Sequence, residues 1–409
     1  MARGFARRSI TGIVYRLVHV LPRSKRVWVF GNLKGFRDNP RYLAEHIVAT
    51  HPEIDGWWVA RTPAEAAAAR AAGLSVAMLG TARAARVQLR AGAAFLSNAF
   101  IDLQPAFLGG ALVVHLYHGL GLKRILLDID VDRLMRGAWP TRAMTRLQRW
   151  SVRRQLGRVD LIIAAGGFAA EHFASGFGLP PARIPVLGSP RFDVIEGGPA
   201  FARLASPNLR ARLGVPEDAH LVLWLPTWRE RGDAAWLPPL DGSTLDRELA
   251  GTKVRLVVKT HPYADISVFS SRLPDHERIR LLGETEIDVN CLLRMADALV
   301  TDYSSAAFDY AILRRPMHFF APDAEAFDRS RGLYQPFSSL TGGTHHVEWQ
   351  PLLRALAAGS RGQDLDGMAS MERVARIAAN NEEPGSSERI VQLVSSRVGL
   401  GSEGPDGRG

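Results

Sequence analysis

Four short polar segments in this chain each follow an apolar run of strand length, and between them they carry imidazole, guanidinium, ammonium and hydroxyl groups. The last reads Thr301-Asp302-Tyr303-Ser304-Ser305, continues to Asp309-Tyr310, and follows Ala298-Leu299-Val300. Asp302 to Ser305 supply turn and N-cap chemistry, and residues 306–313 continue as a helix former. A strand that enters a helix through Ser-Ser aims backbone N–H groups and the positive end of the helix dipole at one spot, where a phosphate is held at little cost. An ordinary capped helix has the same composition. The first segment runs from Val113-Val114-His115 through His118-Gly119 to Lys123-Arg124. It places a histidine at the end of a strand, then glycines that allow close backbone approach, then two cations. Imidazole, with an unperturbed pKa of roughly 6.5, suits proton transfer near neutral pH, although most histidines are simply satisfied by backbone. Pro226-Thr227-Trp228-Arg229 ends another run with a guanidinium suited to bidentate phosphate contact. Val258-Lys259-Thr260-His261-Pro262 ends a further one with Lys259 and His261, where the proline biases His261 toward an extended or turn conformation.

These segments need strands to carry them, and the pattern supplies strands. Apolar runs of strand length alternate with Ala/Arg/Leu-rich helical runs, the pattern of parallel α/β sheets. Strands are expected over 27–30, 56–60, 75–78, 94–97, 112–116, 161–164 and 184–187, then over 220–225, 254–259, 279–282, 298–301 and 317–320. Between the two series the sequence loosens into Glu196-Gly197-Gly198-Pro199, a crossing between domains. The expected organisation is a basic amphipathic segment over 1–25, α/β domains over 26–195 and 196–395, and a disordered Gly/Glu/Asp/Pro-rich tail over 396–409. Two doubly wound parallel-sheet domains facing across a cleft would hold a ligand between the carboxyl ends of their strands.

The 409 residues are enough for two domains, and 46% hydrophobic with 22% charged residues is the balance of a globular protein with sizeable cores. The single cysteine, Cys291, excludes an internal disulfide framework and reads as a packed core thiol. The net charge of +10 is unevenly placed: no acidic residue precedes Asp38, and a second basic stretch follows Asp132 with Arg146, Arg149 and Arg153 among Trp and Leu. Pro140 divides that stretch into two helical pieces. Such stretches suit an anionic membrane surface, nucleic acid would accept the same charge, and a solvated helix face needs no partner at all. Residues 10–21 are interrupted by Arg16 and His19 and lack a small-residue cleavage site, so the chain reads as cytoplasmic and attached to the inner membrane face.

Taken in order, His-Gly-x-x-x-Lys, Pro-Thr-Trp-Arg, His-Pro and Thr-Asp-Tyr-Ser-Ser-x-x-x-Asp-Tyr resemble the CDP-glycerol glycerophosphotransferase family of teichoic-acid-type polymer synthesis. Asp38-Asn39-Pro40-Arg41-Tyr42-Leu43, Arg314-Arg315-Pro316, Ala321-Pro322-Asp323 and Arg331-Gly332-Leu333-Tyr334 extend the likeness over roughly residues 26–340. The resemblance implies a GT-B-like fold, an acceptor-side first domain and a second domain that binds CDP-glycerol. It implies His118 as general base for the acceptor hydroxyl and His261 at the pyrophosphate or leaving group. Lys123, Lys259, Arg229, Thr301, Ser304 and Ser305 would bind the substrate, with Asp302 positioning the loop, Asp309 supporting the helix and Asp323 at the ribose. No paired carboxylates or His/Asp cluster with ligand spacing stand out, so the expected core reaction needs no metal or other cofactor. The expected partners are CDP-glycerol, a lipid-linked or glycan acceptor and an anionic membrane surface, and not nucleic acid. CDP-ribitol or a nucleotide sugar as donor, or a non-catalytic polyanion-binding role, are the alternatives. Gly119-Leu120-Gly121-Leu122-Lys123 departs from the Thr-Pro pair common before the family's Lys, so acceptor contacts are expected to differ there. The length is nearer to the priming enzymes than to the polymerising ones.

Overall fold

A computed structural model describes residues 12–119, 122–129, 150, 152–205, 208–229, 236–261, 264–283, 287–325 and 333–400. Residues 1–11, most of the second basic stretch with Pro140, Arg146 and Arg149, the pair Arg331-Gly332, and the tail beyond Leu400 lie outside the described residues. The chain divides into two units, the first formed by 1–118, 126–193 and 381–409 and the second by 119–125 and 194–380.

The first unit is built on a six-stranded sheet of β1 (Ser24–Phe30), β2 (Asp55–Ala60), β3 (Ser75–Met78), β4 (Ala91–Leu96), β5 (Leu112–His115) and β6 (Leu161–Ile162). Its order is β3-β2-β1-β4-β5-β6 and every pairing is parallel. All six residues of β4 are buried, which accounts for its unbroken apolar sequence: a parallel strand is covered on both faces. Phe30 stacks on Phe95 at 4.6 Å in a core that also takes in Leu43 and Ile47 from the Asp38–Thr50 helix.

The second unit is built on a five-stranded parallel sheet of β7 (His220–Leu225), β8 (Val254–Lys259), β9 (Ile279–Leu282), β10 (Ala298–Thr301) and β11 (Met317–Phe319), ordered β11-β10-β7-β8-β9. Trp224, Phe320 and Trp349 meet in its core, and Cys291 is buried in the helix Val289–Met295. In each sheet the order reverses at one point, between β1 and β4 and between β7 and β10. Chain leaving the carboxyl ends of those strands diverges and leaves a crevice, so polar residues placed there converge on a ligand.

Two expectations change. Residues 184–187 form only a single parallel bridge, Ala164 to Val186, because Pro185 has no N–H to donate to a ladder. The helix Ser386–Val398 packs Ile390, Val391 and Val394 into the first unit's core, so the second unit stops at Asn380 rather than 395. Asp193 accepts the N–H groups of Ser386 and Ser387 at 2.8 and 2.9 Å and so starts this helix on the first unit. Residues 396–398 are therefore helical and not tail, and the helix ends at Gly399 in the left-handed conformation (φ 71°).

Candidate active site

In the first unit the loops that follow β1, β4 and β5 are tied to one another by buried polar groups. Asp102 is fully buried, and its carboxylate accepts the backbone N–H of Leu33 (2.8 Å), Ser97 (2.9 Å) and Asn98 (2.7 Å). The Asn98 side chain donates to Asn32 Oδ1 at 2.9 Å, and Ser97 Oγ donates to Asp38 at 3.0 Å. Asn39, also fully buried, donates to the carbonyls of Leu116 and Tyr117 and accepts from Ser189 Oγ and the Arg191 N–H, both at 3.0 Å. Gly31 is required here, because a Cβ would stand 2.5 Å from the Asp102 carbonyl oxygen.

This framework carries His118. The preceding Tyr117 has φ 42°, an unusual conformation for a large side chain, and Asn39 holds its carbonyl. The His118 ring stacks on Tyr117 at 4.5 Å, and Nδ1 lies 3.1 Å from the Ser97 carbonyl oxygen. A carbonyl only accepts, so Nδ1 carries the proton and the neutral ring keeps its lone pair at Nε2. That is the tautomer of a general base. His115, which ends β5, is buried behind it with Nδ1 accepting the Tyr117 N–H at 3.1 Å. Burial, with the nearby His118 charge adding to it, lowers the His115 pKa to about 3 and keeps the ring neutral.

In the second unit the loops after β7 and β10 are joined through Asp302. This buried carboxylate accepts Thr227 N (3.0 Å), Thr227 Oγ1 (2.6 Å), Tyr303 N (2.6 Å) and Arg229 Nη1 (2.9 Å). Arg229 also forms a bidentate pair with Asp323, at 2.8 and 2.9 Å, and its Nη1 donates to the Thr227 carbonyl. Its guanidinium lies 4.3 Å from the Trp236 ring centre, and Tyr303 Oη donates to Asp323 at 3.0 Å. Burial opposes the charge on Arg229, but Asp302 and Asp323 outweigh it and hold the pKa above its usual value. Burial, reinforced by the same two carboxylates, pushes the Tyr303 phenol well above its usual range.

The expected phosphate ligands therefore divide. Arg229 meets two carboxylates and a carbonyl, so its fork braces the loops, and Asp323 is its bidentate partner. Thr301 is fully buried with its hydroxyl donating to the Leu225 carbonyl at 2.8 Å, which joins β10 to β7 and removes it as a phosphate ligand. Asp302 links the loops after β7 and β10 through its bonds to Thr227 and Arg229. Ser304 Oγ accepts the Ala306 N–H at 3.2 Å, while Ser305 makes no side-chain cap to the short helix Ala306–Tyr310. Asp309 is buried within that helix. Lys259 ends β8 with Nζ 3.3 Å from the Gly283 carbonyl, and the exposed His261 ring lies 6.4 Å from Trp228, nearly parallel to it. Lys123 lies on the segment 119–125, which belongs to the second unit: it bridges to Leu333, while Tyr334 Oη accepts the Ile125 N–H at 3.2 Å.

Sequence reading did not single out Asn39 and Asp102 as site residues, nor Asn32 and Asn98. Asn32 and Asn98 stand just after β1 and β4, the position that flagged the other segments, so that signal was present. Among the described residues one group of metal-ligating side chains forms, His46, His51 and Glu388, and none of the expected site residues belongs to it.

Comparison with known proteins places this architecture. The family model described as CDP-Glycerol:Poly(glycerophosphate) glycerophosphotransferase matches residues 13–396. A teichoic acid poly(glycerol phosphate) polymerase of Staphylococcus epidermidis is 26% identical over 356 residues, which is 85% of this chain and 47% of that protein. One of the same description from Bacillus spizizenii is 24% identical over 349 residues, 82% of this chain and 84% of the relative. The chain thus spans about half of the first of these relatives. The structure of the wall teichoic acid polymerase TagF superposes with a TM-score of 0.73 at 22% identity, covering 98% of this chain and 97% of that one. The α/β, GT-B-like class expected from the sequence is the fold observed.

Proposed function

The chain belongs to the CDP-glycerol:poly(glycerophosphate) glycerophosphotransferase family, and from that premise we propose that it transfers glycerol phosphate from CDP-glycerol to a hydroxyl of a lipid-linked or glycan acceptor. The acceptor oxygen attacks the phosphorus that bears glycerol, a new P–O bond forms, the bond to the CMP phosphate breaks, and CMP leaves with the electron pair. His118 Nε2 takes the acceptor's proton. The observation that carries this reading is the His118 tautomer, set by the Ser97 carbonyl at 3.1 Å. Loss of such a base costs about two to four orders of magnitude in rate.

Phosphoryl transfer asks a protein mainly for positioning and charge neutralisation. In this reading Lys259 and His261, at the end of β8, face the pyrophosphate, with the Ser304 and Ser305 hydroxyls beside them. Arg229 acts one step back, holding the loops after β7 and β10 in register through Asp302 and Asp323. The test is CMP release: His118→Ala should lower kcat by about two to four orders of magnitude. An unchanged rate would remove His118 from the mechanism.

The same reading puts the protein at the cytoplasmic membrane face, as a peripheral partner of anionic lipid. It is supported by the exposed Ile13 (59%), Leu17 (66%) and Val20 (84%) on one N-terminal segment with Arg16, and by the basic stretch containing Arg146, Arg149 and Arg153. No helix among the described residues is long and apolar enough to cross a membrane. Flotation with anionic vesicles is expected for the wild type and reduced for Leu17→Glu with Val20→Glu, or for charge reversal of the three arginines. Equal flotation of all variants contradicts the membrane assignment.

A further inference from the structure

We infer that His46, His51 and Glu388 form a binding site for a divalent transition-metal ion of the Zn²⁺ class, which clips the Ser386–Val398 helix to the Asp38–Thr50 helix. Glu388 Oε2 lies 3.1 Å from His46 Nε2 and 2.8 Å from His51 Nε2, and all three ligand atoms fall within 4.8 Å of one another. Around a tetrahedral Zn²⁺ with bonds of about 2.0–2.1 Å, neighbouring ligand atoms stand roughly 3.3–3.5 Å apart. The two His–Glu separations fall short of that spacing by about 0.2–0.7 Å, and the two histidine nitrogens lie within 4.8 Å of each other.

The ring of His51 is oriented from both sides. His51 faces a carboxylate at each ring nitrogen, Glu53 Oε1 at 2.9 Å from Nδ1 and Glu388 Oε2 at 2.8 Å from Nε2. A metal bound at Nε2, with any proton there passing to solvent, leaves Nδ1–H to donate to Glu53. This is the outer carboxylate–histidine arrangement that orients metal ligands. Gln392 Nε2 donates to the other Glu388 oxygen at 3.0 Å and so turns Oε2 toward the histidines. Both supporting helices are anchored in one core, by Leu43 and Ile47 on one side and Ile390, Val391 and Val394 on the other, so the ligands are held on rigid backbone. The three side chains remain 18–37% exposed, which gives a path for the ion and room for a water as fourth ligand. His51 caps the C-terminal end of the Asp38–Thr50 helix, about 18 Å by helical rise from Asn39 near the other end, so the proposed ion sits far from the His118 loop. Its role is structural.

The test uses the full chain stripped with a chelator and titrated with Zn²⁺ by calorimetry and thermal melting, with Co²⁺ as a spectroscopic probe. One equivalent should bind and raise Tm, and Co²⁺ should give the intense visible bands of a four-coordinate site. Glu388→Gln and His51→Ala should each weaken binding at least about 100-fold, and Glu53→Gln, at an exposed position, about 10- to 100-fold. Absence of saturable binding at micromolar Zn²⁺, or binding as tight as wild type in Glu53→Gln and Glu388→Gln, overturns the proposal. Glu53→Gln keeps the test decisive if the other variants fold poorly.

Discussion

Arg229 shows how burial changes what a residue type can do. On an open loop its fork would take a phosphate. Here Asp302 and Asp323 hold it, with side chains 1% and 16% exposed. Removing one partner of a buried pair leaves the other charge uncompensated, so Arg229→Ala should lower stability by about 3–5 kcal/mol in a urea melt. A residue that served only as a phosphate ligand would raise KM and leave the melt unchanged. His115 makes a prediction of the opposite sign of charge. Its folded pKa is lowered to about 3 by burial and then by His118. Above pH 6.5 neither the folded nor the unfolded state carries the proton; as pH falls below 6.5 the unfolded state gains it first, so stability declines toward pH 3. The loss reaches roughly 2 kcal/mol at pH 5. His115→Asn retains an acceptor for the Tyr117 N–H and should flatten this slope, and an unaltered slope would assign it to other groups. Asp102 and Asn39 were not legible as site residues, because what they do depends on backbone groups of distant loops: the partners of Asp102 include Leu33, 69 residues away, and those of Asn39 include Arg191, 152 away.

At the scale of elements, the strands that bear the site were the most legible part of the chain, because a parallel strand buried on both faces must be written as an apolar run. The exception, 184–187, has the apolar run but also Pro185, and one missing donor is enough to reduce a strand to a bridge. The partner of the Ser386–Val398 helix was not legible, since an amphipathic face states that it must be covered but not by which sheet. The loops after β1 and β4 were legible only as polar ends. Their closeness is what makes Gly31 necessary: Gly31→Ala would push a Cβ to 2.5 Å from the Asp102 carbonyl. The expected cost is about 1–3 kcal/mol. A larger fall in kcat than in Tm is expected, because the same loop carries the Ser97 carbonyl that fixes the His118 tautomer. A drop in stability with kcat intact would separate the glycine from catalysis.

For the whole molecule, two sheets of related strand order each gather their polar residues where the order reverses, at β1/β4 and at β7/β10. The first unit presents His118 with Nδ1 on a backbone carbonyl, and the second presents a braced loop pair with a lysine and a histidine at the next strand end. Under the proposed function His118 would supply the base, and Lys259 with His261 the cationic groups at the pyrophosphate. The family match over residues 13–396 covers both units. The central claim is glycerol phosphate transfer from CDP-glycerol. Its most direct test is CMP release by purified wild-type protein offered CDP-glycerol, CDP-ribitol or a nucleotide sugar, with membrane lipid extract of proven acceptor competence. CMP formed from CDP-glycerol, dependent on the acceptor and well above the other donors, is the result the account predicts. No CMP from CDP-glycerol, or faster release from another donor, would contradict it.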